Sequence, residues 1–212
     1  MRFARESRPF VLPFALGALL CFALGRPFLG MSALLLGLLV LLFFRNPPRH
    51  FAGSEDTVLA AADGLVTQVD QVADPEVGPG TFHRVVTFLS VFDVHVQKVP
   101  TAGEVVSSSL RTGRKVAAFR KNAGEINEQH LTVIRRPGGD LVGVRQIAGL
   151  LARRVVCYAR TGQSVARGEA LGLIKFGSRV DVLVPASYRI LVAKGARLKN
   201  GATPVATAGR ET

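Results

Sequence analysis

The sequence predicts a mainly β protein of the α+β class, in which a barrel- or sandwich-like domain follows an N-terminal hydrophobic helical hairpin. Two long apolar runs, residues 10–24 and 28–44, predict the hairpin. From Val58 onward, short runs rich in β-branched residues alternate with glycine-containing turns, a pattern typical of β-sheet domains. A glycine-based pattern also recurs at an offset of 33 residues, which indicates a repeated small strand unit. We expect the first part to be residues 1–50 and the β-rich domain to be residues 51–212.

The two apolar runs are separated by Gly25, Arg26 and Pro27, which break a helix and favour a tight turn. The second run has 17 residues, a helical rise of about 26 Å against a hydrocarbon core of about 30 Å, so a re-entrant or interfacial anchor is the alternative to a spanning hairpin. A secretory signal is disfavoured, because no small-x-small cleavage site follows the first run. Arginines flank both outer ends, which places these ends on the cytoplasmic side. We expect a cell (inner) membrane protein, hairpin-anchored or peripheral, with a cytoplasmic β-rich domain.

The chain is strongly basic, with a formal net charge of +12. Six arginines and one glutamate lie in residues 1–50, which leaves 21 basic and 14 acidic residues in the β-rich domain. A basic domain tethered to a bilayer suits an anionic membrane surface. Nucleic acid is disfavoured as a partner, because no Lys/Arg block carries interleaved aromatic residues and tryptophan is absent. Cys21 and Cys157 have no metal-ligand spacing, so we expect neither a metal site nor a disulfide.

The internal repeat aligns "TGQSVARGEALGL" at 161–173 with "KGARLKNGATPVA" at 194–206. Each copy has a glycine, two residues, an aliphatic residue, two residues and a second glycine, and so predicts a turn, a short strand and another turn. "ADGLV" at 62 and "AGEVV" at 102 are weaker copies. This spacing resembles lipoyl- and biotinyl-carrier modules. The matched positions are Gly162, Val165 and Gly168 with Gly195, Leu198 and Gly201.

Three other segments carry local predictions. Residues 71–82 form a polar loop rich in proline and glycine, and residues 111–129 form a charged loop or short helix. "VRQIAGLLARRV" has apolar residues at 147, 150 and 151, which predicts one short helix.

The segment "LSVFDVHVQKVP", residues 89–100, alternates as a strand does. Alternation places Asp93, His95 and Gln97 on one face. A carboxylate beside an imidazole favours the charged imidazolium and can hold the ring in place. The alternative is the solvated outer face of a half-buried strand.

Gly177 and Ser178 lie at a tight point between two strand-like runs, in "KFGSRVD". Glycine permits the strained backbone that would press the serine hydroxyl onto the preceding carbonyl. Attack would convert the peptide bond to an ester, and elimination would leave dehydroalanine and finally a pyruvoyl group. Serine needs a base within reach for this reaction. Taken alone, both this dipeptide and the Asp63–Gly64 pair are ordinary turn signals.

The ordered set of segments resembles one family over nearly the whole chain. The segments are "FFRNPPR", "ADG", "FLSVFDVHVQKVPTAGEV", "NEQH", "RQIAGLLARRVV" and "IKFGSRVDVLVP". They are similar to phosphatidylserine decarboxylase proenzyme, in the short form found in many bacteria. "FGSRVD" and "FDVHV" are the most specific parts of the resemblance.

The resemblance implies a decarboxylase that converts phosphatidylserine to phosphatidylethanolamine and CO₂. It implies self-cleavage between Gly177 and Ser178 into a β chain (1–177) and an α chain (178–212), which stay together as a heterodimer. Ser178 would become the pyruvoyl cofactor. Asp63 would belong to the self-cleavage machinery, and His95 would serve proton transfer with Asp93 beside it. The oligomeric state of the heterodimer is left open.

One departure from the family pattern concerns the base. Long forms carry D-x-H-x-x-H, in which the second histidine is the usual base for self-cleavage, and Lys98 stands in its place here. Alternation also points Lys98 away from the His95 face. His95 is therefore expected to take both roles with Asp63 assisting, and His83, His130 and Lys98 are the alternatives. The serine motif has Phe176 and Arg179 where the long form's "LGST" has Leu and Thr.

Arginines are the candidates for contact with the lipid phosphate or with anionic lipid, although an ordinary solvated role is equally compatible with the sequence. The four candidates are Arg145, Arg153, Arg154 and Arg179. A non-enzymatic alternative is a membrane-anchored adaptor with a lipoyl-like β domain. That class typically carries a modifiable lysine between methionines and long heptad repeats, and neither feature is found here.

Overall fold

A computed structural model of the chain describes residues 2–113, 126–149, 155–174 and 178–209. The chain divides into two compact units, Met1–Pro48 and Arg49–Thr212. Gly177, Arg153 and Arg154 lie outside the described residues, as does most of the charged segment 111–129.

The first unit is built on two antiparallel helices, α1 (Arg8–Ala23) and α2 (Pro27–Phe43). A 3-10 turn (Arg5–Ser7) precedes α1, and β1 (Arg2–Phe3) pairs with β2 (Arg45–Asn46). Most outward-facing leucines are exposed, a surface that suits an apolar medium. The segment Arg5–Ala23 is long and apolar enough to cross a membrane by length and composition, and the second helix is a shorter apolar one.

Glycines allow the two helices to approach closely. A Cβ at Gly30 would lie 2.8 Å from the Phe22 ring, and one at Gly37 would lie 3.0 Å from the Phe14 Cβ. Positions 25–27 end α1 and start α2, as the helix-breaking residues there predicted.

The second unit is mainly β, as predicted. The strands are β3 (Thr57–Leu59), β4 (Gly64–Ala73), β5 (Thr81–Leu89), β6 (Val96–Lys98), β7 (Gly103–Arg111), β8 (Gln129–Arg135), β9 (Leu141–Ile147), β10 (Val155–Cys157), β11 (Ser164–Val165), β12 (Ala170–Ile174), β13 (Ser178–Pro185), β14 (Arg189–Ile190), β15 (Arg197–Leu198) and β16 (Pro204–Thr207).

An eight-stranded antiparallel sheet forms the body of this unit and curls into a half-barrel. Its strand order is β11-β7-β8-β9-β13-β5-β4-β15, so β13 lies between β5 and β9. Two three-stranded sheets, β10-β12-β6 and β14-β16-β3, complete the unit.

The central strand β13 is buried on both faces. Val180, Val182 and Val184 belong to the main core, whereas Leu183 packs on the other face with a cluster that includes Phe82. This double burial explains the continuous apolar run of residues 182–184 in the second half of the strand.

The two copies of the repeat make equivalent backbone contacts. The Gly162 N–H donates to the Val105 carbonyl at 2.7 Å, and the Gly195 N–H donates to the Val66 carbonyl at 2.8 Å. All four repeat glycines have positive φ, between 64° and 92°, as turns of this kind require. Each copy is therefore the turn, short strand and turn that the sequence predicted, while the likeness to carrier modules stays a prediction.

The predicted helix over 144–155 is wrong for its described part. Residues up to Ile147 belong to β9, which pairs with β8 on one side and β13 on the other. The spacing of residues 147, 150 and 151 was too short a pattern to separate helix from strand. The last two of these residues lie outside the described part of the chain.

Candidate active site

Ser178 is the first residue of β13 and is completely buried. Its backbone lies opposite Leu89 of β5. Because side chains alternate along a strand, Ser178 faces the main core together with Val180 and Val182. The Ser178 Oγ is buried and has no hydrogen-bond partner among the described residues. Burying a hydroxyl without a hydrogen bond lowers the stability of a protein, so a functional reason for this arrangement is expected.

His95 lies six residues after Leu89, the residue that pairs with Ser178. Extending the register of β6 and β12 by one residue places His95 opposite Ile174, the last residue of β12, four positions before Ser178. The His95 side chain is fully buried. Its Nδ1 lies 2.9 Å from the Asp93 carbonyl oxygen. Since a carbonyl only accepts, Nδ1 carries a proton, so the neutral form of this ring has its lone pair at Nε2.

The predicted continuous strand over residues 89–100 is wrong, and so is the side-chain pairing of Asp93 with His95. β5 ends at Leu89, and β6 begins only at Val96. The Asp93 carboxylate instead accepts hydrogen bonds from the Ser90 N–H at 2.8 Å and the Ser90 Oγ at 2.7 Å. This local turn breaks the alternation on which the prediction depended. Asp93 therefore orients the imidazole through its backbone carbonyl.

A pair of glutamines links the His95 segment to the central sheet. The Gln97 Nε2 donates to the His95 carbonyl at 2.8 Å, and its Oε1 accepts from the Gln146 Nε2 at 2.9 Å. Gln146 lies directly opposite Val180, two residues from Ser178. Both glutamine side chains are fully buried. The chain of hydrogen bonds therefore fixes the His95 segment against the face of the sheet that carries Ser178.

Lys98 points away from this cluster, as alternation predicted. Its Nζ donates to the Gly168 carbonyl at 3.0 Å, on the opposite side of β6 from Gln97. The position that holds the second histidine in long forms is therefore turned towards the repeat glycines. Gln97 is the residue that continues the His95 face towards β13.

Asp63 is buried and forms an ion pair with Arg49. The Arg49 Nη2 lies 2.8 Å from the Asp63 Oδ2, and the Asn200 backbone N–H donates to the Asp63 Oδ1 at 2.8 Å. The Asn200 Nδ2 in turn donates to the Val96 carbonyl at 2.6 Å. Asp63 therefore reaches the residue next to His95 through Asn200.

The two other candidate histidines of the β-rich domain differ in position. His83 lies opposite Val184 at the far end of β13 from Ser178, with Nε2 3.1 Å from the Ala186 carbonyl. His130 lies opposite Gln146 on β8. Alternation places His130 on the same face as Gln146, one strand further from Ser178.

His130 is held by Ser108. The Ser108 Oγ donates to the Ala159 carbonyl at 2.9 Å, so the His130 Nε2, also 2.9 Å away, donates to Ser108. Burial lowers the pKa of His130 below its ordinary 6.5, which favours the neutral ring.

Comparison with known proteins identifies the family. The family model described as phosphatidylserine decarboxylase matches residues 36–206. The chain belongs to the phosphatidylserine decarboxylase family.

Relatives with the same name cover most of the chain. The phosphatidylserine decarboxylase proenzyme of Syntrophus aciditrophicus is 38% identical over 205 residues, 96% of this chain and 96% of that protein. The corresponding proenzyme of Saccharopolyspora erythraea is 44% identical over 209 residues, 96% of this chain and 87% of its own length. That of Mycobacteroides abscessus is 47% identical over 167 residues, 77% of this chain and 70% of its own length.

In this member of the phosphatidylserine decarboxylase family, two of the four arginines predicted to contact phosphate form ion pairs with carboxylates of the same chain. Arg179 forms a buried two-point ion pair with Asp181, at 2.7 Å and 2.6 Å. Arg145 pairs with Asp74 at 2.6 Å and with Glu76 at 2.7 Å.

Both arginines lie on the face of the sheet opposite Ser178, because Arg179 alternates with Ser178 and Arg145 with Gln146. The hydrogen bond from Arg145 also holds the pKa of the Glu76 carboxyl below its ordinary 4.5. The structure therefore places Arg145 and Arg179 in ion pairs on the face opposite Ser178, and their contact with the lipid phosphate or with anionic lipid stays a prediction.

Sequence reasoning missed four residues of this family member's site: Arg49, Gln97, Gln146 and Asn200. Gln97 was placed on the His95 face by alternation but was given no role. Strand register and turns distant in sequence bring the other three residues to the site, and a local sequence pattern does not predict such contacts.

Proposed function

We propose that the chain is a proenzyme that cuts itself between Gly177 and Ser178 and then decarboxylates phosphatidylserine to phosphatidylethanolamine and CO₂. The observation that carries the proposal is the buried Ser178 Oγ at the start of the central strand, which has no hydrogen-bond partner among the described residues, in a chain of this family. The products are a β chain of residues 1–177 and an α chain of residues 178–212, which remain associated.

Self-cleavage begins at the Ser178 hydroxyl. Its Oγ attacks the Gly177 carbonyl carbon, the Oγ proton passes to a base, and the C–N bond breaks to give an ester and a new amine. Removal of the Ser178 Cα proton then breaks the Cβ–Oγ bond, which leaves a carboxylate on Gly177 and dehydroalanine at 178. Tautomerisation and addition of water release ammonia and leave the pyruvoyl group on the α chain.

His95 is the base that the geometry favours for this reaction. With its proton on Nδ1 facing the Asp93 carbonyl, the ring has a lone pair at Nε2 that can accept the Ser178 proton. His83 lies at the far end of the strand, and Lys98 is turned to the other side of β6. His130 is the remaining candidate, with its Nε2 proton directed to Ser108.

Asp63 acts in this scheme as a positioning residue. Its carboxylate fixes Asn200, and Asn200 holds the backbone next to His95. Asp93 positions the His95 ring through its carbonyl while its carboxylate holds the turn.

The mature site must hold the pyruvoyl group and exclude water. Ser178 fits the role of precursor because its side chain lies in a dry region, faces the core and has no competing hydrogen bond in the described residues. A pyruvoyl group supplies a conjugated carbonyl that acts as an electron sink when CO₂ leaves. His95 then delivers a proton to the carbon that lost CO₂.

We also propose that the helical unit anchors the chain in the cell (inner) membrane with the β-rich domain in the cytoplasm. The exposed leucines of α1 and α2 and the flanking arginines support this location. The net charge of +12 suits an anionic bilayer that contains phosphatidylserine. Family membership argues against the adaptor alternative.

The test is conversion of labelled phosphatidylserine by the purified full chain. Ser178→Ala should remain one uncut chain and produce no phosphatidylethanolamine. Ser187→Ala, a change at an exposed serine in the turn after β13, should cleave and turn over normally.

His95→Ala should remain uncut, and added imidazole should partly restore cleavage. Normal cleavage of His95→Ala would transfer the role of base to another residue, first of all His130. Turnover by uncut Ser178→Ala would sink the pyruvoyl mechanism.

A further inference from the structure

The turn between β5 and His95 carries two exposed apolar side chains. Phe92 is 83% exposed and Val91 is 47% exposed. Among the described residues of the second unit, Phe92 is the most exposed large apolar side chain. Tight turns ordinarily carry polar residues, whereas two adjacent apolar side chains lie exposed at this tip.

This turn is rigidly built. The Ser90 N–H and Oγ both donate to the Asp93 carboxylate, and the Asp93 N–H donates to the Ser90 carbonyl at 3.0 Å. Arg197 of β15 donates to the same carboxylate at 3.1 Å. The apolar tip is therefore held in a fixed conformation, which reduces the entropy lost when it meets a partner.

Strand register places a leucine, Leu65, and an arginine, Arg197, near this turn. Arg197 lies opposite Leu65, and Leu65 lies opposite Phe88, one residue before Leu89. Leu65 is 40% exposed, and the Arg197 side chain is 70% exposed. Apolar and cationic side chains therefore lie together.

The candidate site lies near the same turn. Ser178 pairs with Leu89, and the apolar turn follows Leu89 directly. A surface that touches the turn therefore lies within a short distance of the point where β13 begins.

We propose that Leu65, Val91, Phe92 and Arg197 form a docking edge that rests on the lipid bilayer while a headgroup reaches Ser178. The inference rests on the proposed function, because a substrate held in a bilayer must be met at the membrane surface. Aliphatic and phenyl side chains enter the headgroup region, and the guanidinium suits anionic phosphates there. A second copy of the chain is a poorer fit, since a stable protein interface needs about 800 Å² per partner and this tip is one short turn.

A tryptophan reporter tests the docking edge directly, because the natural chain has no tryptophan. In the full-length Phe92→Trp variant, emission should shift to the blue on addition of phosphatidylserine-containing vesicles. Lipids brominated near the headgroup end of their acyl chains should quench it. The matched control is Leu191→Trp, at an exposed leucine beside β14 in a different sheet, which should show neither effect.

Two results would overturn the inference. One is a membrane-bound Phe92→Trp chain whose emission is insensitive to the brominated lipids. The other is a blue shift that grows with protein concentration in the absence of lipid, which would assign the edge to a second copy.

Turnover provides a second readout. This readout is the ratio of kcat/KM on vesicle phosphatidylserine to kcat/KM on dispersed short-chain phosphatidylserine. In Phe92→Ser this ratio should fall about tenfold, because the variant has no phenyl side chain to bury in the bilayer. Phe92→Leu should restore most of that ratio, and an unchanged ratio in Phe92→Ser would contradict docking. Failure of the wild-type chain to turn over any phosphatidylserine would overturn the proposed function instead, and the quenching result would still report the contact with the bilayer.

Discussion

Replacing Arg179 by methionine tests whether this arginine stabilises the fold through an ion pair or binds the phosphate of the substrate. The change leaves the Asp181 carboxylate without its two-point partner, and the side chains of Arg179 and Asp181 are only 9% and 3% exposed. Removing one partner of a buried pair typically destabilises a protein by about 3–5 kcal/mol. Arg145 lies directly opposite Asp181, and Asp181 also acts on Arg84, so other cations partly compensate. We therefore expect a loss of about 3 kcal/mol, the lower end of that range.

Thermal unfolding of the full chain in detergent measures this loss. About 3 kcal/mol corresponds to a midpoint lower by roughly 6–12 °C for a domain of this size. The double variant Arg179→Met/Asp181→Leu removes both charges and should recover most of the stability. Arg84→Met is the matched control, because its pair with Asp70 is 26% and 30% exposed and should contribute only about 1 kcal/mol or less.

The double variant also decides the role of Arg179 in turnover. With both charges replaced by apolar groups, the chain should cleave itself and keep the KM for phosphatidylserine. A stable double variant with a greatly raised KM would return Arg179 to the phosphate site. An Arg179→Met chain as stable as the wild type would refute the reasoning from burial.

Three further changes test other contacts. Because burial lowers the pKa of His130, the unfolded chain takes up a proton as the pH falls through 6.5 while the folded chain does not. The free energy of unfolding should therefore decrease below pH 6.5. His130→Gln should lessen this pH dependence in thermal unfolding midpoints measured on both sides of pH 6.5. Gln97→Leu and Gln146→Leu should each lower the free energy of unfolding by about 1–3 kcal/mol in denaturant unfolding, and the double variant should lower it by less than the sum. Strictly additive losses would show that the two glutamines do not interact. Asp63→Asn should slow self-cleavage on a gel time course by loosening Asn200, and an unchanged rate would remove Asp63 from the positioning network.

The helical unit was predictable because its signals are local. The apolar runs are continuous, and Gly25 to Pro27 stop one helix and start the next whatever lies around them. Much of the β domain was predictable for the same reason, since β-branched runs and glycine turns alternate along the chain. The repeat glycines adopt positive φ at the predicted turns.

The errors arose where distant partners or a competing local hydrogen bond decided the structure. Residues before Ile147 form a strand because β8 and β13 flank them, and neither partner is visible in a short apolar pattern. The apparent strand through Asp93 is broken because Ser90 and Asp93 bond to each other, a local alternative to sheet pairing.

The site was predicted only in part. The candidates Ser178 and His95 came from the family resemblance, and their catalytic roles stay predictions. The contacts of Gln146, Asn200 and Arg49 depend on register across the sheet and on turns far along the chain, so the sequence alone did not indicate them.

The most direct test of the central claim is the mass of the small chain released from purified protein. Cleavage at Gly177–Ser178 with conversion of the serine predicts a fragment of residues 178–212 that is lighter by one ammonia than the unmodified peptide. The same fragment should resist N-terminal sequencing and react with a carbonyl reagent. A single full-length chain in a preparation that makes phosphatidylethanolamine would contradict the account. So would a small chain that begins with an ordinary serine amine.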